Sequence, residues 1–420
     1  MDNDWSWTMS KRVVVTGMGT INPLGHNLAE SWTNLLDGVA GVGPLTLFDP
    51  SDLNIKVACE VKDFDPETSL SAKEARRRDR FEQFAYLAAR EALNQSGLVI
   101  TPENAGRIGS IISSSGGGLG TVEDSFMTLL DRGPRAMNPF TTPKYMSSGA
   151  AGLTSIDFNL QGPAFSVESA CASSSDGIGM AWLMIRAGML DAAVTGGSDA
   201  SIVHMCVAAL DRSGAMSRRE GPVPQAPQPF DLHRDGFVIG EGAGVLVLES
   251  EGYARRRGAE ILAELAGYSA SADAFHITAP LEDGAGAARA MRQALEAAEI
   301  DPQRIDHINS HGTGTRLNDI SETVAIKAVF GQHAYKLPIC ATKSMTGHMM
   351  GTTAALEAII TVQSIINNVV PPTIHYQTPD PECDLDYVPN EAREAQIDNA
   401  ISNAFGFGGH NSVLAFRRYQ

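Results

Sequence analysis

The 420-residue chain is predicted to fold as an α/β protein built from two copies of one unit. Three observations carry this expectation. The length exceeds what one ordinary hydrophobic core serves and suits two core-sized units. Along the chain, β-branched runs ending in glycine alternate with segments of helical periodicity. The two halves also close alike: DGFVIGEGAGVLVLES and AISNAFGFGGHNSVLAFRR each read as strand, glycine-rich turn, strand. The expected organisation is an N-terminal extension at 1–10, a first half at 11–255 and a second half at 256–420.

The elements follow in order. RVVVTGMG (Arg12 to Gly19) is a buried strand running into a loop, and a helix follows around Leu28 to Leu36. Ala72 to Ser96 reads as one long helix with an apolar face at Phe81, Phe84, Ala88 and Leu93. IGSIISSS is a strand leading into the loop GGGLG. SVESACASSSDGIGMAWLMIRAG reads as short strand, turn and apolar helix, and AAVTGGSDA as another strand. In the second half, ILAELAGYSASAD is strand then loop, AARAMRQALEAAEI a helix, and IDHINSHGTGT strand then loop. LPICATKSMTGHMMGTTAALEAIITVQSI is strand, loop and apolar helix.

Composition narrows the function. Apolar residues make up 43% and charged residues 19%, as in ordinary globular proteins, and the net charge of −17 opposes nonspecific nucleic-acid binding and adhesion to anionic membrane. No apolar run reaches membrane-spanning length; Ala355 to Ile366 is interrupted by Glu357, Thr361 and Gln363. MDNDWSWTMS lacks the pattern of a secretory signal, and the ordered pattern begins just after Met9. Cys59, Cys171, Cys206, Cys340 and Cys383 are scattered and odd in number, which argues against a disulfide framework or structural zinc and makes the cytosol the default location.

Four places carry chemistry. Cys171, in ESACASSSDGIGMAW, sits at a predicted helix start among small residues. A helix N-terminus favours thiolate, and its amides suit an oxyanion; the plain alternative is a small buried cysteine. His311 in NSHGTGT and His348 in KSMTGHMMG, with Lys343, occupy loops that follow predicted strands. FGFGGHN, Phe405 to Asn411, is a glycine turn whose backbone can approach a ligand closely.

The order cysteine, HGTGT, KSxTGH, FGFGG resembles the β-ketoacyl-acyl-carrier-protein synthase family, of the elongating KAS I/KAS II type, from about Lys11 to the C-terminus. The resemblance implies a thiolase-like fold, an internally duplicated five-layer αβαβα arrangement, in a cytoplasmic homodimer. It implies decarboxylative Claisen condensation of an acyl group, held as a Cys171 thioester, with malonyl-acyl-carrier protein in fatty-acid elongation. By position, His311 and His348 act on the malonyl extender and Lys343 holds charge near them. The amides of Cys171 and Phe407 form the oxyanion hole, with the Phe407 ring as a gate. Thr313 and Thr315 match positions that bind the phosphopantetheine arm. Gly116 stands where relatives often carry a bulky aliphatic gate to the acyl pocket.

Within KEARRRDRF, the resemblance makes Lys73, Arg76 and Arg77 docking residues for the acidic carrier protein, together with Arg219. The plain alternative is a solvated helix face. No cofactor is required, although Asn309, Glu357 and Ser402 match positions that hold a monovalent cation in some relatives. Glu357 has the alternative of a buried salt-bridge partner. Gly116 and the HGTGT motif lean toward a ketosynthase of polyketide or specialised lipid synthesis, and Arg316 stands where elongation synthases often carry proline. A CoA-primed initiating synthase is opposed by the paired histidines. A noncatalytic chain-length partner subunit is opposed by Cys171 with both histidines.

Overall fold

A computed structural model describes residues 11–221 and 225–420; the predicted extension at 1–10, with Met9, lies outside them. Ten strands form one continuous sheet that divides into two five-stranded halves. The first half contains β1 (Val13–Ile21), β2 (Ile108–Ser113), β3 (Ala164–Phe165), β4 (Ala192–Asp199) and β5 (Gly242–Ser250), in the spatial order β3-β2-β4-β5-β1. The second contains β6 (Ala263–Ala272), β7 (His307–Asn309), β8 (Ile339–Cys340), β9 (Asn399–Gly406) and β10 (His410–Arg417), in the order β8-β7-β9-β10-β6. In each half the three outer strands run parallel and the remaining two pair antiparallel. The halves join where Val13, Val14 and Val15 of β1 pair with Leu265, Glu264 and Ala263 of β6. The repeated strand order is the duplication in structural form.

Helices complete five layers. The first half contributes α1 (Leu28–Leu36), α2 (Ala72–Arg77), α3 (Arg80–Ser96), α4 (Leu119–Arg132), α5 (Thr141–Tyr145), α6 (Gly149–Phe158), α7 (Ser173–Arg186), α8 (His204–Ser213) and α9 (Glu251–Arg256). The second contributes α10 (Ala285–Ala298), α11 (Arg316–Phe330), α12 (Lys343–Thr346) and α13 (Thr353–Asn367). α3 and α6 cover the outer face of the first sheet, and α10 and α11 that of the second. Between the sheets lie α7 and α13, with Ile178, Trp182, Ile185, Ile359, Val362 and Ile365 in one core with strands of both halves. A helix enclosed between two sheets has no solvent face to keep polar, which explains why both sequences are apolar nearly all round. The glycines of VVVTGMG let α3 close on β1. A Cβ at Gly17 or Gly19 would lie 2.1 or 2.2 Å from the carbonyl oxygens of Ala92 and Ala88.

Three expectations need correction. The helix predicted over Ala72 to Ser96 breaks at Arg78 and Asp79. There Asp79 caps α3 by accepting from the amide of Phe81, while Glu82 reaches back to the amide of Asp79 at 2.8 Å. This capping box holds the chain extended before the helix and overrides the helix-forming residues around it. Second, DGFVIG is not a strand of the sheet. β5 pairs with β1 and β4, whereas Phe237, Ile239 and Gly240 make single bridges to Met216, His348 and Cys59. A true hairpin closes only the second half, at β9–β10; in the first, residues 200–241 are inserted between the equivalent strands. Third, the short strand before Cys171 lies earlier than SVES, at Ala164–Phe165.

Candidate active site

Cys171 sits in a 3-10 turn, Ala170–Ala172, that leads into α7. Ala170 adopts φ 52°, a left-handed conformation uncommon outside glycine, and the turn presents the sulfur to a cavity of about 590 Å³. The backbone amides of Phe407 and of Cys171 itself face the sulfur and favour its ionised form. Glycine at 406 eases this approach, since a Cβ there would lie 3.0 Å from the Cys171 nitrogen and crowd it. Phe407 itself is half-buried and lines the cavity.

His348 follows α12 and places Nε2 3.0 Å from Cys171 Sγ. Its backbone is pinned by bonds to Val238 and Gly240 in the inserted segment, and Phe237 packs edge-on against its ring. His311, at the end of β7, lies perpendicular to His348 with ring centroids 5.6 Å apart. The loop bearing His311 is held by Glu322 of α11, which accepts from the amides of His311 and Gly312 at 2.8 Å each and from Asn403 at 3.0 Å. Lys343 is fully buried and donates to Glu357 of α13 at 2.7 Å. Three loops from two halves thus bring thiol, imidazoles and ammonium to one point.

Electrostatics set their protonation. Burial, then Lys343, lowers His348 to about 3 and, with His348 adding to it, holds His311 well below 6.5; both rings are neutral at pH 7. Burial likewise pushes the Cys171 thiol up to about 11 despite the lowering effects of the Phe407 amide and Lys343. The expected thiolate at the helix start is therefore not the resting form: desolvation outweighs the helix terminus. A neutral thiol becomes nucleophilic only as its proton is drawn off during the attack.

The remaining predicted residues divide. Thr313 and Thr315 line the cavity, with their hydroxyls 2.9 Å apart. Gly116 lines it also, held by the buried Asp199, which accepts from Ser114, Ser115 and Gly116. Asn309 and Ser402 are register partners on β7 and β9, and Asn309 reaches the Glu357 carbonyl at 3.3 Å. The basic cluster splits. Arg78 is buried on Asp157, and Arg80 pairs with Glu241, while Lys73 and Arg76 are exposed and Arg77 stacks on Phe140. Arg219 is partly engaged, bonding Asp235 at 3.2 Å and the His233 carbonyl.

Sequence reading missed Glu322, Asp199 and Thr353, whose hydroxyl lies 3.0 Å from Nδ1 of His348. Glu322 had a legible signal: with Asp319, Ala325 and Ile326 it forms one buried face of α11, and an acid on such a face needs a partner.

The comparisons agree with this architecture. The Beta-ketoacyl synthase N-terminal domain matches residues 10–254 and the Beta-ketoacyl synthase C-terminal domain residues 262–377. The chain is 46% identical to a 3-oxoacyl-[acyl-carrier-protein] synthase 2 of Synechocystis sp., covering 98% of this chain and 99% of that one. It is 45% identical to the synthase of the same name from Staphylococcus aureus, covering 98% and 100%. Among solved structures, the ishigamide ketosynthase/chain length factor matches with TM-score 0.91 and 36% identity, over 98% of this chain and 100% of that one. A β-ketoacyl synthase from Burkholderia phymatum matches with TM-score 0.90 and 34% identity over the same shares. A duplicated five-layer fold, a cysteine and two neutral imidazoles at one cavity, and near-full-length relatives place the chain in the β-ketoacyl synthase family.

Proposed function

We propose that this chain is a 3-oxoacyl-[acyl-carrier-protein] synthase that joins an acyl group to malonyl-acyl-carrier protein, releasing carbon dioxide and free carrier protein. The observation that carries the reading is Cys171 Sγ held 3.0 Å from His348 Nε2, with the Phe407 amide on the sulfur and His311 beside it. In the first half-reaction the sulfur attacks the acyl thioester and displaces the carrier's pantetheine thiol, which leaves with the proton. The amides of Cys171 and Phe407 hold the tetrahedral oxyanion. In the second, the malonyl carboxylate leaves as carbon dioxide. N–H groups of His311 and His348 stabilise the enolate oxygen, and the enolate carbon attacks the Cys171 thioester and expels the Cys171 thiolate, which takes a proton from solvent. A neutral imidazole is a suitable donor here because it polarises the carbonyl without itself requiring a counter-ion. Lys343 sustains that neutrality, since its charge opposes protonation of either ring. Thr313 and Thr315 line the part of the cavity where the pantetheine arm would lie.

The exposed Lys73 and Arg76, with Arg77 and Arg219, offer positive charge to the acidic carrier protein on an otherwise acidic molecule. A solved relative described as a type II PKS acyl-carrier protein in complex with its ketosynthase, 33% identical with TM-score 0.88 over 98% of this chain and 100% of that one, supports a carrier partner. A homodimer is supported by strand β3, which pairs on one side only, and by the exposed Phe126, Leu130, Met146 and Ile156. No described helix is long and apolar enough to cross a membrane; a cytosolic location fits the five free cysteines.

A monovalent cation fits the group behind the histidines. Asn309 Oδ1 and Glu357 Oε2 are buried oxygens without hydrogen-bond partners, and Ser402 lies in register beside Asn309. These residues would hold it, and it would supply a fixed positive charge that orders the loops bearing His311 and Lys343.

One observation favours polyketide or specialised lipid synthesis as the second reading: Gly116 leaves the acyl pocket without the gate a side chain would form against Leu119 and Ser201. The test is incubation with malonyl-carrier protein and acyl-carrier proteins of increasing length, read by intact mass spectrometry, with Cys171→Ala as control. Acyl-enzyme and β-ketoacyl product, both lost in the control, are expected. No acylation by any donor would overturn the reading and revive the noncatalytic partner subunit.

A further inference from the structure

The inference rests on the synthase reading and concerns which nitrogen of His348 carries its proton. A neutral imidazole has one N–H. To donate to a thioester or enolate oxygen from Nε2, His348 must present a bare Nδ1, and some group must donate to it. Among the described residues, the hydrogen-bond partner of Nδ1 is the hydroxyl of Thr353, the first residue of α13, at 3.0 Å. That hydroxyl is buried and has a competing acceptor, the Met350 carbonyl, at 3.2 Å. The same carbonyl already accepts the backbone N–H of Thr353 at the end of the Met350–Thr352 turn. The carbonyl is thus satisfied without the hydroxyl, whose proton is better placed on Nδ1, where the contact is shorter and where an imidazole nitrogen would otherwise lie buried without a donor.

We propose that Thr353 is a positioning residue whose hydroxyl donates to Nδ1 of His348 and so keeps Nε2 protonated, facing Cys171 and the reacting carbonyl. The dependence should be unequal between half-reactions. Decarboxylation draws on the Nε2–H donor directly, whereas thioester exchange has the Cys171 and Phe407 amides for its oxyanion. The effect of deleting Thr353 thus falls mainly on the malonyl half.

The test uses the full-length protein with Thr353→Val, which keeps the shape and removes the donor, and Thr353→Ser, which keeps the donor. Nitrogen-15 NMR of histidine-labelled protein, with His348 assigned by its loss in His348→Gln, reads the tautomer without any turnover. Expected are a bare Nδ1 in the unsubstituted protein and in Thr353→Ser, and a shift of population to the Nδ1–H form in Thr353→Val. Malonyl-carrier decarboxylation should fall about tenfold in Thr353→Val, acylation of Cys171 less than about twofold, and Thr353→Ser should restore decarboxylation. A protonated Nδ1 in the unsubstituted protein would overturn the proposal. So would equal loss in both half-reactions, or failure of serine to rescue. If the protein showed the tautomer but no turnover with any carrier substrate, the synthase reading would fail and the hydrogen bond would stand.

Discussion

The turns that start the two central helices occupy equivalent places in the two halves, and they have been put to opposite uses. Ala170–Ala172 leads into α7 and Met350–Thr352 into α13. Each begins with a residue in the left-handed region, Ala170 at φ 52° and Met350 at φ 50°. The second residue is Cys171 in the first turn and Gly351 in the second. A Cβ at Gly351 would lie 2.8 Å from Ser115 Cβ and 3.1 Å from the Ala170 carbonyl, so this position is filled by the Ser115 loop together with the facing turn. Three residues before each stands Glu168, exposed and bonded to Ser147, or His348, buried against the sulfur. One geometry thus presents a nucleophile in one copy and an imidazole in the other. Duplication supplied two turns that face each other, and divergence of a few side chains made one site from them.

The sharpest break of this asymmetry is Cys171→Ala. It removes the sulfur and keeps the turn, so acylation should vanish while folding and carrier binding persist; mass spectrometry and calorimetry read both. Residual acyl-enzyme would mean that another residue is the nucleophile. His348→Gln comes next. It deletes the second half's contribution and should slow malonyl decarboxylation by about 10²–10³-fold, in the range for losing one oxyanion donor. Single-turnover assays separate it from acylation. Lys343→Met leaves Glu357 buried without its partner and should cost about 3–5 kcal/mol in urea unfolding. Adding Glu357→Gln should recover most of that loss.

Gly351→Ala tests the other turn. A methyl forced against Ser115 should cost about 1–3 kcal/mol by overpacking and displace Cys171 indirectly, lowering activity without touching any reacting group. A neutral outcome would mean that the facing turns are loosely packed. The last test varies pH. His348 lies at about 3 and His311 well below 6.5, because burial disfavours their charged forms. Each binds fewer protons folded than unfolded below pH 6.5. Their burial therefore supports the fold fully above pH 6.5, and that support is withdrawn as pH falls toward 3. Urea midpoints should decline less steeply over this window in His348→Gln than in the unsubstituted protein; parallel declines would exclude His348 as a contributor.

Much of this was readable from local pattern. Strands such as Val13–Ile21 and Ile108–Ser113 and helices such as Leu28–Leu36 are marked by periodicity and by the residues that stop them. The break at Asp79 had its own signal in D-R-F-E, a capping box obscured by surrounding helix formers. The mistaken strand at DGFVIG has a different cause. β-branched residues beside glycine describe an extended, buried segment equally well whether it joins a sheet or wraps across a site, and only the neighbours distinguish the two.

By itself, the sequence carried the α/β class, the duplication, and the cysteine, histidines and lysine as candidates, because each is legible in residue types and in the order of motifs along the chain, the last through their resemblance to a known family. Tertiary structure alone decided which of these groups meet, what holds them and how they are charged. Cys171 and His348 touch across 177 positions of chain. Glu322 props the His311 loop from another helix, and Thr353 reaches Nδ1 of His348 from the first turn of α13. The thiol rises and the imidazoles fall in pKa because packed protein replaces water around them. Burial is a property of everything that surrounds a residue in space, and no window along the chain contains it.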